Sequence, residues 1–214
     1  MSRFESVLAS TARVVLRASR HGALLAGLLA ASVHAQPALS IKPLAERTVT
    51  ELPTGELYWR IENLATLEQA SAAAGPWSLV AQAEGKTWLF TLGPRGGKSA
   101  GATPVTEVGP IPRIEGKRWL LRINDASGPP GAVTPVHSHP GSEAFFVLDG
   151  EQSIRGLHDT TRVPAGQTAP GHGADEAMQV SSTGAAGLHA LVMFVVDADR
   201  PFSTPAALPA SEAH

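Results

Sequence analysis

The stretch Gly131–Gly150, GAVTPVHSHPGSEAFFVLDG, decides how the rest of the chain is read. His137 and His139 are two residues apart, so on an extended strand their side chains share a face. Pro140-Gly141 signals a turn, and Glu143 follows four residues after His139. If the chain turns there and re-enters a sheet, Glu143 faces the same site as the imidazoles. Two histidines and one carboxylate then offer three ligands to a divalent ion and leave positions open for water or substrate. On spacing alone, the same residues also make a polar turn with a solvated histidine pair. Further along, Phe145 and Val147 share the face of Glu143, and Phe146 and Leu148 take the other, so Phe145 and Val147 are expected inward.

Around this stretch the composition suits a β protein. The chain has 214 residues, 43% of them apolar, with 21 Gly and 17 Pro. Short strand-like runs recur: Leu57–Glu62, Trp77–Gln82, Thr87–Leu92, Thr103–Val108, Lys117–Ile123, Val133–Val136, Glu143–Leu148, Gln152–Arg155, Thr161–Val163 and Met178–Ser181. Leu188–Val196 is the most apolar run after residue 35 and reads as a central buried strand. Leu64–Ala74 has helical spacing, with Asn63 as its cap and Gly75-Pro76 as its stop. Gly93–Gly101 is glycine-rich and basic, but it lacks the spacing of a phosphate-binding loop and reads as a solvated loop. Many short strands between Gly/Pro turns indicate a sandwich or barrel. Cysteine is absent, which excludes disulfides, thiolate metal sites and a cysteine nucleophile. The formal charge of -2 argues against a nucleic-acid-binding surface.

Residues 1–35 read as an export signal. Arg3, Arg13, Arg17 and Arg20 precede the apolar run Gly22–Val33, and Val33-His34-Ala35 resembles a cleavage site. The 12-residue run is short for a bilayer span, which takes about 20 residues. Cleavage would leave 179 residues with 13 basic against 18 acidic side chains, a net charge of −5. The expected location is the periplasm or the exterior, with no membrane association after cleavage. One compact domain is expected over 36–200, with its core at about 117–197, and a flexible tail over 201–214.

Gly131, His137, His139, Glu143 and Gly150 fill every fixed position of a pattern that resembles the first motif of the cupin superfamily. The resemblance implies an all-β fold, a double-stranded β-helix or jelly-roll barrel, here with extra N-terminal strands and a short helix. It also implies a metal inside the barrel near one mouth. In that reading His137, His139 and Glu143 are metal ligands, Gly131 and Gly150 are turn glycines, and the ion is Fe, Mn, Ni, Zn or Cu.

The second cupin motif departs from the pattern. In the favoured register Met178 stands where a metal-binding His is usual, and a thioether is a poor ligand for Fe(II) or Mn. The long segment 170–176 offers His172, which either completes the site or stands as a loop histidine at the mouth. Asp175 and Glu176 are further oxygen donors. His158 reads as a turn residue, and His189 as a core, surface or pocket histidine. Arg122 is an anion-binding group if its strand face is the pocket face.

Two functional classes follow. One is a metal-dependent enzyme, dioxygenase-like or a Lewis-acid isomerase or decarboxylase, on a small oxygen-rich substrate, with Glu143 as ligand or catalytic base. The other is a non-catalytic module with a degenerate metal site that binds a sugar or organic acid. Both take a small molecule as partner, and the strands ahead of Gly131 are expected to extend the sheet or pair two copies as a homodimer.

Overall fold

The computed structural model describes residues 36–209. The export signal expected over 1–35 and the last five residues of the tail lie outside that range. In chain order the elements are β1 (Ser40–Val49), β2 (Leu57–Leu64), α1 (Leu67–Ala73), β3 (Ser78–Ala83), β4 (Lys86–Gly93), β5 (Thr103–Ile111) and β6 (Trp119–Gly128). They continue as β7 (His137–Ser138), β8 (Gly141–Asp149), β9 (Glu151–Arg155), β10 (Thr160–Pro164), β11 (Thr168–Pro170), β12 (Gln179–Ser182), β13 (Leu188–Asp197) and β14 (Thr204–Pro205).

Every strand pairing is antiparallel. A four-stranded sheet runs β3-β4-β2-β5, a five-stranded sheet β1-β6-β13-β8-β11, and a three-stranded sheet β10-β9-β12. The five-stranded sheet is the middle layer. On one face, Leu121, Ile123, Phe146, Leu191, Met193 and Val195 join Trp59, Trp88 and Phe90 of the four-stranded sheet in one core. On its other face, Phe145, Val147, Val192 and Phe194 join Ile154, Val163 and Val180 of the three-stranded sheet in a second. Strands buried on both faces cannot alternate apolar with polar, which is why Leu188–Val196 reads as an unbroken apolar run.

The helix starts later than its sequence suggests. Leu64 closes β2 opposite Thr87, and the cap is Thr66, not Asn63, with its hydroxyl accepting from the Gln69 amide at 3.1 Å. Asn63 instead donates its side-chain amide to the Thr87 carbonyl at 3.3 Å. The helix lays Ala70 on Leu64 and Leu89, covering the outer face of the four-stranded sheet.

Val133–Val136 does not form the expected strand. Isolated bridges, Ala38 to Val133, Val133 to Ser181 and His137 to Met178, are found there instead. Pro135 has no N–H to give a ladder, and the Thr134 hydroxyl accepts from the Val180 amide at 3.0 Å instead. Gly131 and Gly150 both have positive φ, +79° and +76°, as turn residues bracketing the stretch.

The tail differs most from expectation. Residues 201–209 do not hang free. Thr204-Pro205 pairs with β7, Ala206 donates its amide to the Val136 carbonyl at 3.1 Å, and the Thr204 and Ser138 hydroxyls lie 3.1 Å apart.

Candidate functional site

A cavity of about 380 Å³ opens between the five-stranded sheet and the segment Thr134–His137. Its walls come from one face of that sheet: Asn124 and Ala126 of β6, Glu143 and Phe145 of β8, Val192 and Phe194 of β13. The strand parity expected for β8 is the parity found, because Ala144 and Phe146 pack into the opposite core. His137 and His139 lie at one end, their rings 4.9 Å apart and nearly perpendicular.

The histidines are held by backbone carbonyls. His139 Nδ1 lies 2.6 Å from the Phe202 carbonyl, and His137 Nδ1 lies 2.8 Å from the Pro135 carbonyl. A carbonyl only accepts, so Nδ1 carries the proton in each case. In the neutral rings the lone pair is then on Nε2. The His139 ring is packed edge-on against Phe194 and tilted against Phe202. Burial pulls its pKa down to about 4; the charges of His137 and Arg122 act in the same direction, and the Phe202 carbonyl opposes them.

Glu143 is fully buried, and burial alone pushes its carboxyl up to about 8. Its Oε2 is 4.0 Å from His139 Nε2, and its Oε1 has no hydrogen-bond partner. At neutral pH the pair is therefore a protonated acid beside a neutral imidazole rather than an ion pair.

The expected ligands come together only in part. His137, His139 and Glu143 all line the cavity. Yet among the described residues no three His, Cys, Asp or Glu side chains gather closely enough to hold a metal ion. Met178 exchanges both backbone hydrogen bonds with His137, at 3.0 and 2.8 Å, and its side chain is buried in the adjacent core. Met178 does not line the cavity.

His172 does not complete the site. The Gly171 amide donates to the Glu143 carbonyl at 2.9 Å, and a Cβ at Gly171 would overlap the Glu143 side chain. The chain thus passes tightly behind Glu143, and His172 turns outward to Asp159, its Nε2 3.9 Å from Oδ1. Asp175 is bound by Arg200 at 2.6 and 3.0 Å, and Glu176 does not line the cavity. His158 is exposed in the β9–β10 turn. His189 faces the other core side, between Asp125 at 3.0 Å and Glu84 at 3.3 Å. Arg122 is on the cavity face of β6 but is already engaged: Nε donates to Glu46 at 2.9 Å, and the guanidinium lies 4.3 Å from the Phe202 ring centroid.

Phe202 is the residue the sequence reading missed. It stacks between Arg122, His139 and Phe194 and closes one side of the cavity. The signal available was a single aromatic in an otherwise small, Pro-rich tail, PFSTPAALP.

No family model matches the chain, and no curated protein matches it. Among solved structures it is similar to a cupin-like protein from Thermotoga maritima, with 16% identity over 43% of this chain and 68% of that one and a TM-score of 0.38. It is also similar to a cupin-superfamily protein from Desulfitobacterium hafniense, with 16% identity over 36% and 68% and a TM-score of 0.33. A protein of unknown function from Streptococcus pyogenes is similar at 26% identity over 36% and 64%, with a TM-score of 0.33. The likeness to cupin-superfamily proteins is thus one of low identity and partial coverage.

Proposed function

We propose that this chain is a cupin-fold protein that binds a small molecule in the cavity between β6, β8, β13 and the Thr134–His137 segment, without catalysing a reaction on it. The observation that carries this reading is a cavity of about 380 Å³, walled largely by apolar side chains, with His137, His139 and Glu143 at one end. Concave, mostly apolar cavities with a few convergent polar groups are the usual form of ligand sites. The five matched positions from Gly131 to Gly150 support the cupin assignment, as does the antiparallel pairing of the strands that line the cavity.

A thermal-shift screen of neutral, acidic and sugar-like compounds tests the reading. Hits should raise Tm in the wild type but not in Ala126→Leu, which fills the cavity. A screen with no hit that depends on residue 126 overturns it.

One observation favours a second reading, in which a divalent transition metal binds. Both Nδ1 atoms donate to backbone carbonyls, which leaves both Nε2 atoms as donors toward an ion, as in metal sites generally. His139 and Glu143, with His137 beside them, would hold it, and the ion would supply Lewis-acid or oxygen chemistry there. Metal analysis separates the two. Ion present in the wild type and in His172→Ala but absent in His139→Ala supports the metal; a metal-free wild type removes it.

Export is part of the same proposal. It rests on the basic and apolar character of residues 1–33 and the Val33-His34-Ala35 site. A mature chain beginning at Gln36 in the periplasmic or secreted fraction is the expected result.

A further inference from the structure

The chemistry of the cavity narrows its occupant. The argument rests on the metal-free binding reading above and goes beyond it to the class of ligand.

The walls are the first constraint. Phe145, Phe194 and Phe202 supply aromatic rings, and Val180, Val192 and Ile41 supply aliphatic surface. A molecule with many hydroxyls would leave most of them unpaired against these side chains, and each unpaired buried polar group is unfavourable. Sugars are disfavoured on this ground.

Charge is the second. Among the described residues no Lys or Arg lines the cavity. Arg122, the nearest candidate by its strand face, is bound to Glu46 and stacked on Phe202. A carboxylate or phosphate would therefore be desolvated without a cation. Organic acids are disfavoured on this second ground.

The polar end is the third. Backbone carbonyls hold the Nδ1 protons of His137 and His139, so in the neutral tautomer each Nε2 is an acceptor. Glu143 Oε1 is buried without a partner. The two Nε2 atoms thus offer acceptors that a ligand donor satisfies, and the protonated Glu143 carboxyl adds an O–H donor beside one further acceptor oxygen.

We infer that the cavity selects a neutral, mostly apolar molecule of about the size of a single substituted ring, which directs a hydroxyl or N–H donor at His137, His139 and Glu143. The rings of Phe194 and Phe202 pack on its apolar body, and the donor hydrogen bonds to Nε2 or to Oε1. No bond is made or broken.

The test is titration calorimetry on the purified full-length chain with four probes: p-cresol, its methyl ether, p-toluate and glucose. The methyl ether has the same body without the donor, and p-toluate carries a negative charge in its place. The expected order is p-cresol tightest, the ether about tenfold weaker for one lost hydrogen bond, and p-toluate and glucose weaker than the ether. His139→Phe keeps an aromatic ring but removes Nε2, and it should shrink the preference of p-cresol over its ether. Should His139→Phe fail to fold, the wild-type order decides.

Tighter binding of p-toluate or glucose overturns the ligand class while leaving the binding reading intact. Equal affinity for p-cresol and its ether overturns the donor requirement. Binding of none of the four overturns the inference, and the broad screen against Ala126→Leu then decides separately whether the cavity binds anything.

Discussion

The two faces of the five-stranded sheet are built from alternate residues of the same strands, yet one is solid and the other hollow. Toward the four-stranded sheet, Leu121, Ile123, Phe146 and Met193 meet Trp59, Trp88 and Phe90, and the large rings fill the space. Toward the three-stranded sheet, Ala126, Ala132, Ala169 and Ala190 take several of the places, and a cavity remains. Side-chain volume sets the difference, because both layers have the same strand chemistry and interiors pack to a fixed density where volumes allow.

The buried glutamates repeat the contrast. Glu62, on the outer face of the four-stranded sheet, is as buried as Glu143 but fully partnered. It accepts from the Ser99 amide at 2.9 Å, the Ser99 hydroxyl at 2.7 Å and Arg60 at 3.0 Å. Burial by itself would raise its pKa, but the bonds from Ser99 and the bond and charge of Arg60 outweigh it and hold the pKa below the usual value. This glutamate also anchors the glycine-rich loop that the sequence presents as merely solvated. Glu143 has desolvation without such bonds, and its pKa rises. One carboxylate fixes a loop; the other is left available to a ligand.

The largest expected effect comes from hollowing the solid side. Trp88→Ala should cost about 3–5 kcal/mol in denaturant unfolding, because it removes a fully buried ring and its Nε1–H bond to the Ala83 carbonyl. A loss below about 1 kcal/mol would show that this core is not the tight one.

Exchanging the glutamates should give opposite signs. Glu62→Gln is expected to destabilise by about 1–3 kcal/mol, since it weakens bonds to a charged group. Glu143→Leu, measured without ligand, is expected to stabilise by about 1–3 kcal/mol, since it removes an unpaired buried oxygen. Equal signs would break the comparison.

The pH dependence follows with the sign worked out for each. The folded pKa of Glu62 is below its unfolded value of 4.5, so its stabilisation is full above 4.5 and is lost as pH falls through the folded pKa. The folded pKa of Glu143 is raised from 4.5 to about 8, so the folded state holds the extra proton between them. Stability from that group is therefore lost as pH rises from 4.5 toward 8. Unfolding curves across pH for Glu62→Gln and Glu143→Leu should each flatten one of these limbs and leave the other.

The smallest effect lies at the ion pair between Arg200 and Asp175. Arg200→Ala breaks an exposed two-point ion pair with Asp175 and should leave Tm nearly unchanged. If that ion pair helps hold Phe202 over the cavity, ligand dissociation should quicken more than Tm falls.

Much of this arrangement was legible in the chain, for reasons that differ by element. The period-two pattern gave the inward set correctly, since β8 pairs with β13 without irregularity from Glu143 to Val147. The apolar run at Leu188–Val196 identified β13 as central. The helix cap was misjudged because β2 continues to Leu64, a choice made by its partner Thr87 and invisible in local propensity. The long segment 170–176 offers His172 as a ligand, but the tight passage of Gly171 behind Glu143 points it to Asp159. Phe202 could not be placed at all, since its partners His139 and Arg122 are 63 and 80 residues away.

The sequence by itself determined the period-two faces, the histidine pair two residues apart, the turn glycines and the thioether at Met178, because each depends on local stereochemistry. Only the tertiary structure decided what those residues do together. It set Nδ1 of His139 against a carbonyl from the tail, spent the charge of Arg122 on Glu46, and left Glu143 buried without a partner. These are long-range contacts, and short-range pattern carries no information about which distant group arrives to satisfy a donor or leave an acceptor open.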